Sequence, residues 1–192
     1  MNNIILASTS IYRKQQLERL HTPFTTAAPD IDEEPLKAQG LDPITLSKQL
    51  SLLKARAISA QHPDAIVIGG DQVASFNQGI LSKPKTKDKA CEQLSALSGN
   101  SHQLITSLAI IAKGEEYVHT CIAKMKMRAL SPQQISRYID IDEPLHSCGS
   151  YRLEALGISL FENIECEDYT SIIGIPLMWT ARKLTDLGIA IP

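Results

Sequence analysis

The ionisable residues of this chain gather where apolar runs end. Ser8, Thr9, Ser10, Arg13 and Lys14 follow Ile4-Ile5-Leu6, Asp32 and Glu33 sit in an acidic stretch with prolines, and Asp71 comes after Gly69-Gly70 at the end of a β-branched run. Lys54 and Arg56 lie in a helical pattern, while Lys83, Arg152 and Glu154 occupy later turns. Cations at 13, 54 and 83 with carboxylates at 33 and 71 match what hydrolysis of a phosphoanhydride needs. Basic groups hold the phosphates, and carboxylates either hold a hard divalent cation through oxygen or activate a water. Asp71 stands out, because two glycines leave the backbone before it uncluttered; it reads as a metal ligand, a general base or a turn cap. Tyr12, Arg13 and Lys14 open a helical pattern just after the hydroxyl-rich turn, and a helix N-terminus with cations beside it is a ready site for an anion.

Composition narrows the ligand. The 192 residues are 43% hydrophobic and 21% charged, with ten Gly and ten Pro, so a folded chain is expected and disorder is not. A formal net charge of −2 provides no global field for a long polyanion, which favours a small phosphorylated ligand over a nucleic-acid polymer. Cys91, Cys121, Cys148 and Cys166 form no C-x-x-C and are expected as thiols. His119-x-Cys121 and His146-x-Cys148 could each lend two ligands to zinc, but neither has a second pair at zinc-site spacing. The start of the chain lacks the pattern of a secretory leader, and no run approaches the roughly 18 apolar residues of a membrane span. A cytoplasmic protein without a membrane partner is expected.

These residues must be positioned by short elements. A strand is expected over residues 2–7 and a helix over 10–20 with Leu17 and Leu20 inward, followed by an irregular segment to residue 42. Asp42-Pro43 opens a helix to about Gln61. "DAIVIGGDQVASF" reads as a strand whose glycines mark a bulge or a close backbone approach. A turn at Asn77–Gly79 and a helix from Thr86 to Leu97 ending at Gly99 come next. Two strands joined near Gly114 follow, the second alternating Ala123, Met125, Met127 and Ala129 with Lys124, Lys126 and Arg128. That basic face reads as solvated or as a further phosphate contact. Ser131-Pro132-Gln133-Gln134 fits a capping box for a helix to about Ile139, residues 158–164 read as a strand, and Pro176–Leu187 as a last helix ended by Gly188. Interleaved helices and strands, with some strands adjacent in sequence, predict an α/β fold with a mixed sheet flanked by helices.

Several segments together resemble the Maf family of nucleoside triphosphate pyrophosphatases. They are "IILASTSIYRK", "DIDEEP", Lys54-Ala55, "VIGGDQV" with "SKP", Ser98-Gly99, "CGSY" at 148–151 and "IIGIPL" at 172–177, in the family's order and over nearly the whole chain. The resemblance implies a single domain over residues 1–192 with a two-lobed Maf/ITPase-like architecture and a central cleft. It implies hydrolysis of the α–β anhydride of a nucleoside triphosphate with Mg²⁺ or Mn²⁺, and a possible homodimer. It makes Asp71 the proton acceptor, places Ser8, Arg13, Glu33, Lys54 and Lys83 around the phosphates and metal, and gives Glu33 and Asp71 as metal ligands. Tyr12, Gln72 and Glu154 match the subgroup that resembles 7-methyl-GTP pyrophosphatases, whereas members acting on dTTP and UTP carry Arg, Thr and Gln there. The chemistry of these types agrees, since N7-methylguanine is cationic and gains from stacking on an aromatic face, and a carboxylate accepts from N1–H and the exocyclic amine together.

Five positions depart from the family pattern: Ile11, Tyr12, Lys14, Ser82 and Ala155. Lys14 keeps a charge but loses a two-pronged donor, and Ala155 would be strained if its position needs a positive φ. The expected activity is removal of 7-methyl-GTP from the nucleotide pool as 7-methyl-GMP and diphosphate. The alternatives are a pyrophosphatase for dTTP or UTP and a non-catalytic nucleotide-binding regulator of cell division.

Overall fold

Ile4-Ile5-Leu6-Ala7 is apolar without alternation, as is Ile66-Val67-Ile68, so both runs need cover on two faces. The computed structural model, which describes residues 3–192, provides it. Its elements run β1 (Ile4–Ala7), α1 (Ile11–Glu18), β2 (Thr25–Ala27), α2 (Glu34–Lys37), α3 (Pro43–Ser59), β3 (Ile66–Phe76), β4 (Gly79–Leu81), α4 (Lys87–Leu97), β5 (Ser101–Ala112), β6 (Glu115–Met127), α5 (Pro132–Asp142), β7 (Phe161–Glu165) and α6 (Leu177–Asp186). The strands form a mixed sheet in the order β2-β1-β3-β5-β6-β7, with β4 paired to β3. β1 lies parallel to β2 and β3, whereas β3–β4 and β6–β7 are antiparallel.

The chain divides into two compact units. The first contains the chain to Gln72, Thr106–Cys121 and Asp168–Pro192, and the second contains Val73–Ile105 and Ile122–Glu167. In the first unit, strand alternation sends Ile4, Leu6, Ile66, Ile68, Leu108 and Ile110 into one cluster with Leu17 of α1 and Leu184 of α6. The intervening Ile5, Ala7, Val67, Ala109 and Ile111 join Ala55 and Ile58 of α3 on the other face. The second unit packs α4 against α5, burying Ala90, Leu94 and Leu97 from one helix and Ile135, Tyr138 and Ile139 from the other.

Caps set most helix ends where the sequence places them. Ser10, Asp42 and Thr86 accept from Arg13, from Ile44 and Thr45, and from Lys89 respectively, and Ser131 and Gln134 form the reciprocal capping box. Three short elements escape the periodic reading: β2, α2 and β4 have three or four residues each, too few for a period to show. One expectation is corrected. Residues 158–164 are not all strand, because Leu156–Leu160 forms a 3₁₀ turn in which the Phe161 amide donates to Ile158, and β7 starts only at Phe161. β1 begins at Ile4, and residue 2 of the expected strand lies outside the described residues.

The glycine pair of β3 is a close approach and not a bulge. A Cβ at Gly69 would fall 2.5 Å from the Ser51 carbonyl oxygen and 2.6 Å from the Ala55 amide nitrogen, so α3 rests directly on the strand backbone. One at Gly70 would fall 3.0 Å from Leu108 and 3.3 Å from Arg13 Nε. Gly69→Ala is therefore expected to push α3 off β3 and lower stability by about 1–3 kcal/mol. Urea unfolding checks this; an unchanged midpoint and slope would mean that the helix yields freely.

Candidate active site

Site residues of the first unit come from the β1–α1 turn, the residue before α2, the body of α3 and the middle of β3, so Asp71 stands within its strand and not at the end of it. The turn after β1 folds on itself: Ser8 Oγ accepts from the Ser10 amide at 3.1 Å, and Ser10 Oγ caps α1 by accepting from Arg13 N at 3.4 Å. Arg13 Nη1 donates to Ser8 Oγ at 3.5 Å and Arg13 Nε to the Gly174 carbonyl at 3.2 Å. The guanidinium is thus held over Gly70, with Tyr12 half-buried beside it on the same helical turn.

On the opposite face of β3, Lys54 from the middle of α3 reaches Asp71. Lys54 Nζ donates to Asp71 Oδ1 at 2.6 Å and lies 2.9 Å from Glu33 Oε1, and Glu33 Oε2 lies 2.8 Å from Lys37 Nζ. Four charges therefore alternate in a row, Lys37, Glu33, Lys54 and Asp71. Asp71 is 8% exposed, and Lys54 keeps 12% of its side-chain surface in solvent. Burial raises the Asp71 carboxyl above the ordinary aspartate range, and the charges of Lys54 and Arg13 offset only part of that. For Glu33, burial would also raise the carboxyl, but hydrogen bonds and charge from Lys37 and Lys54 outweigh it and bring the value down to about 2. Ser47, fully buried in α3, donates to the Asp71 carbonyl at 3.3 Å and ties the middle of the strand to the helix.

Gln72 points to the other face, where its amide nitrogen donates to Thr106 Oγ1 at 2.9 Å, Ile172 O at 3.0 Å and Ser171 O at 3.1 Å. The segment supplying those carbonyls is knotted by Asp168, 4% exposed, which accepts from the amides of Thr170 at 2.9 Å and Met178 at 2.8 Å.

Within the first unit, Ser8, Arg13, Glu33, Lys54, Asp71 and Gln72 are thus brought together by chain continuity or direct contact. Lys83 and Glu154 belong to the second unit. Lys83 is exposed after β4, following Ser82, whose carbonyl accepts from Gln93 at 2.9 Å. Glu154 is 3.5 Å from Arg152 Nε, and the Arg152 amide donates to the Tyr138 hydroxyl at 3.0 Å. The preceding "CGSY" turn is held by His102, whose Nε2 lies 2.8 Å from the Tyr151 hydroxyl and whose pKa burial holds down to about 4.

Several sequence readings change in this setting. Ala155 has φ −129°, so its methyl is unstrained, and Ser82 is not among the residues at positive φ. Lys14 pairs with Glu18 at 3.8 Å on the solvent side of α1, and Arg56 grips Glu116 at 2.6 and 2.7 Å. The basic face of β6 is largely solvated: Lys124 is exposed in a 3.8 Å pair with Glu165 and Arg128 is exposed while donating to Ser159 O at 2.9 Å, and the half-buried Lys126 donates to Gly99 O at 2.7 Å. None of the four cysteines is in a disulfide, and His119 stacks on Trp179. Among the described residues no three His, Cys, Asp or Glu side chains cluster as a metal site. Glu33 and Asp71 nonetheless converge on one ammonium group, and a carboxylate pair of this kind fits Mg²⁺ or Mn²⁺ when a substrate's phosphates complete the shell. The sequence reading missed Lys37, Ser47, Thr106 and Asp168. Only Lys37 left a signal, the Glu33/Lys37 spacing of four.

An arginine-bearing turn at a helix N-terminus and a buried aspartate midway along β3 define the candidate site of an α/β protein built on a mixed sheet. The fold is similar to that of a HAM1 protein from Coxiella burnetii, with a TM-score of 0.54 at 12% identity over 97% of this chain and 100% of that one. The chain belongs to the Maf-like protein family, which matches residues 3–187. A relative from Pseudomonas putida is 41% identical over 98% of both chains, and one from Xanthomonas oryzae pv. oryzae 40% identical over the full length of both. A third, from Bdellovibrio bacteriovorus, is 41% identical over 97% of both, and all three are named 7-methyl-GTP pyrophosphatase.

Lys54→Met leaves the Asp71 carboxylate without its partner and is expected to lower stability at neutral pH by about 2–3 kcal/mol, while adding Asp71→Asn recovers most of it. Urea unfolding of the single and double variants checks this, and simple additivity would refute the pairing. Because the folded pKa of Glu33 is depressed, its contribution to stability is complete above the ordinary value of 4.5 and is lost as pH falls towards about 2. In metal-free protein, Glu33→Gln should flatten that part of the acid unfolding curve.

Proposed function

We propose that this chain is a nucleoside triphosphate pyrophosphatase that hydrolyses the α–β phosphoanhydride of 7-methyl-GTP, yielding 7-methyl-GMP and diphosphate. The observation that carries the reading is the buried Asp71 held at one oxygen by Lys54, within a chain about 40% identical over its full length to relatives bearing that name. Lys54 occupies Oδ1, and no described residue donates to Oδ2. That second oxygen takes the proton of the attacking water, and burial makes Asp71 a stronger base than a solvated aspartate.

Arg13 and Ser8 grip and orient phosphate oxygens, with the guanidinium prepositioned by Ser8 and Gly174 so that little order is lost on binding. Lys54 and Lys83 supply further positive charge for the triphosphate. Glu33 and Asp71 would hold Mg²⁺ or Mn²⁺, and the ion would supply positive charge to offset that developing on the leaving diphosphate. Tyr12 stacks on the cationic base, Glu154 accepts from its N1–H and amino group, and Gln72 takes part in base selection.

The whole of residues 1–192 serves as one functional domain, acting on a free nucleotide in the cytoplasm and not on a nucleic-acid polymer or a membrane; a homodimer has only the family resemblance in its support. The described residues include no helix long and apolar enough to cross a membrane.

Diphosphate release with Mg²⁺ or Mn²⁺ across 7-methyl-GTP, GTP, dTTP, UTP, CTP and ATP tests the proposal. 7-Methyl-GTP is expected to lead, Asp71→Asn to lose at least about a hundredfold in kcat while folded, and Glu154→Gln to lose the preference. A lead for dTTP or UTP would overturn the base assignment, and no release from any triphosphate would leave a nucleotide-binding regulator as the better account.

A further inference from the structure

The amide of Gln72 can be oriented from its surroundings. Its nitrogen faces Ser171 O and Ile172 O, which are both acceptors, and Thr106 Oγ1, whose own proton is already given to Ser171 O at 2.9 Å. Reversing the amide would set its oxygen against two carbonyls, so the nitrogen must face inward. Two N–H groups then meet three acceptors, and the nitrogen has nothing left to offer. Its Oε1 accepts from no described residue. The only buried polar side-chain atom without a partner among the described residues is His102 Nδ1, so Oε1 is open to solvent.

From this we infer that Thr106, with Ser171 and Ile172, locks Gln72 as an acceptor-only reader, so that the nucleotide atom meeting it must be a hydrogen-bond donor. The inference rests on the reading that a nucleotide occupies this site. Thr106 is a positioning residue: 1% exposed, it reaches the ligand only through Gln72. An unlocked glutamine could turn either end outward and would accept donors and acceptors alike. The locked one penalises a ligand that presents a carbonyl or a methyl at that point, because Oε1 exchanges its water for a group that cannot donate to it. A nucleoside offers suitable donors in two places, N–H groups of the base and hydroxyls of the sugar.

The test compares kcat/KM for 7-methyl-GTP with 7-methyl-ITP, which lacks the exocyclic amine, with 1,7-dimethyl-GTP, which lacks N1–H, and with the 2′-deoxy and 3′-deoxy forms, which each lack one sugar hydroxyl. Removing the donor that meets Gln72 should cost the wild-type enzyme about tenfold. That ratio should shrink to about twofold or less in Gln72→Ala and Thr106→Val, and return in Thr106→Ser. The analogue whose penalty disappears identifies base or sugar as the source. A Thr106→Val ratio equal to wild type overturns the lock, and a Gln72→Ala ratio equal to wild type for all four analogues overturns the reader. A loss of stability alone would lower every rate and leave the ratios unchanged. The lock has a readout independent of turnover: by NMR the Gln72 side-chain amide protons should exchange slowly in wild type and faster in Thr106→Val. Fast exchange in the folded wild-type protein refutes the lock even if 7-methyl-GTP is cleaved. Slow exchange that Thr106→Val abolishes upholds it even if no triphosphate is cleaved and the hydrolytic reading fails.

Discussion

Lys54 stands between two carboxylates, and much of the first unit is arranged around that ammonium group. Without it, Asp71 would be a carboxylate in a nearly closed site facing Glu33, two like charges in low dielectric. With it, both carboxylates can be kept close together beside the middle of β3. The lysine can reach them because α3 lies directly on the backbone of β3, and that distance is set by Gly69. Ser47 adds a second tie between the same helix and the Asp71 carbonyl. Packing and electrostatics are therefore one problem here, since a methyl on the strand displaces the charge that makes the aspartate tenable.

Strand alternation divides the site into two faces. Asp71 follows Val67 and Gly69 toward α3, whereas Gln72 follows Ile68 and Gly70 toward the face that carries Arg13. Neighbouring residues thereby take different tasks without competing for room. On the second face the donors outnumber side-chain acceptors, and backbone carbonyls of residues 171, 172 and 174 make up the difference. Asp168 fixes that carbonyl-bearing segment by joining Thr170 to the start of α6. The "IIGIPL" stretch offers its main-chain carbonyls to the site while Ile175 and Leu177 bury their side chains in the core of the first unit.

Much of the helix layout was legible in the sequence because capping is local chemistry. Ser10, Asp42, Thr86 and Ser131 each satisfy amides two or three residues ahead, which neighbouring letters suffice to reveal. Periodicity failed where elements were short, at β2, α2 and β4, and where the chain turns in 3₁₀ form at Leu156–Leu160. Among site residues, Asp71 announced itself by its place after two glycines. Thr106 sits in an apolar strand and Asp168 in an acidic stretch, so neither differs locally from its structural neighbours. What makes them matter is the partner each meets 65 residues away or ten residues away across a turn.

By itself the sequence determined the class of fold, the family and the set of charged residues, because apolar runs, caps and ordered motifs are properties of short stretches of chain. Only the tertiary structure decided which charges meet. It committed Arg56 to Glu116 and Lys126 to the Gly99 carbonyl, and drew Lys37 into the row with Glu33, Lys54 and Asp71. It also turned the Gln72 amide so that one end is spent on the protein. These are facts of distance between residues far apart in sequence, and hydrogen bonds and ion pairs depend on distance over a few tenths of an ångström.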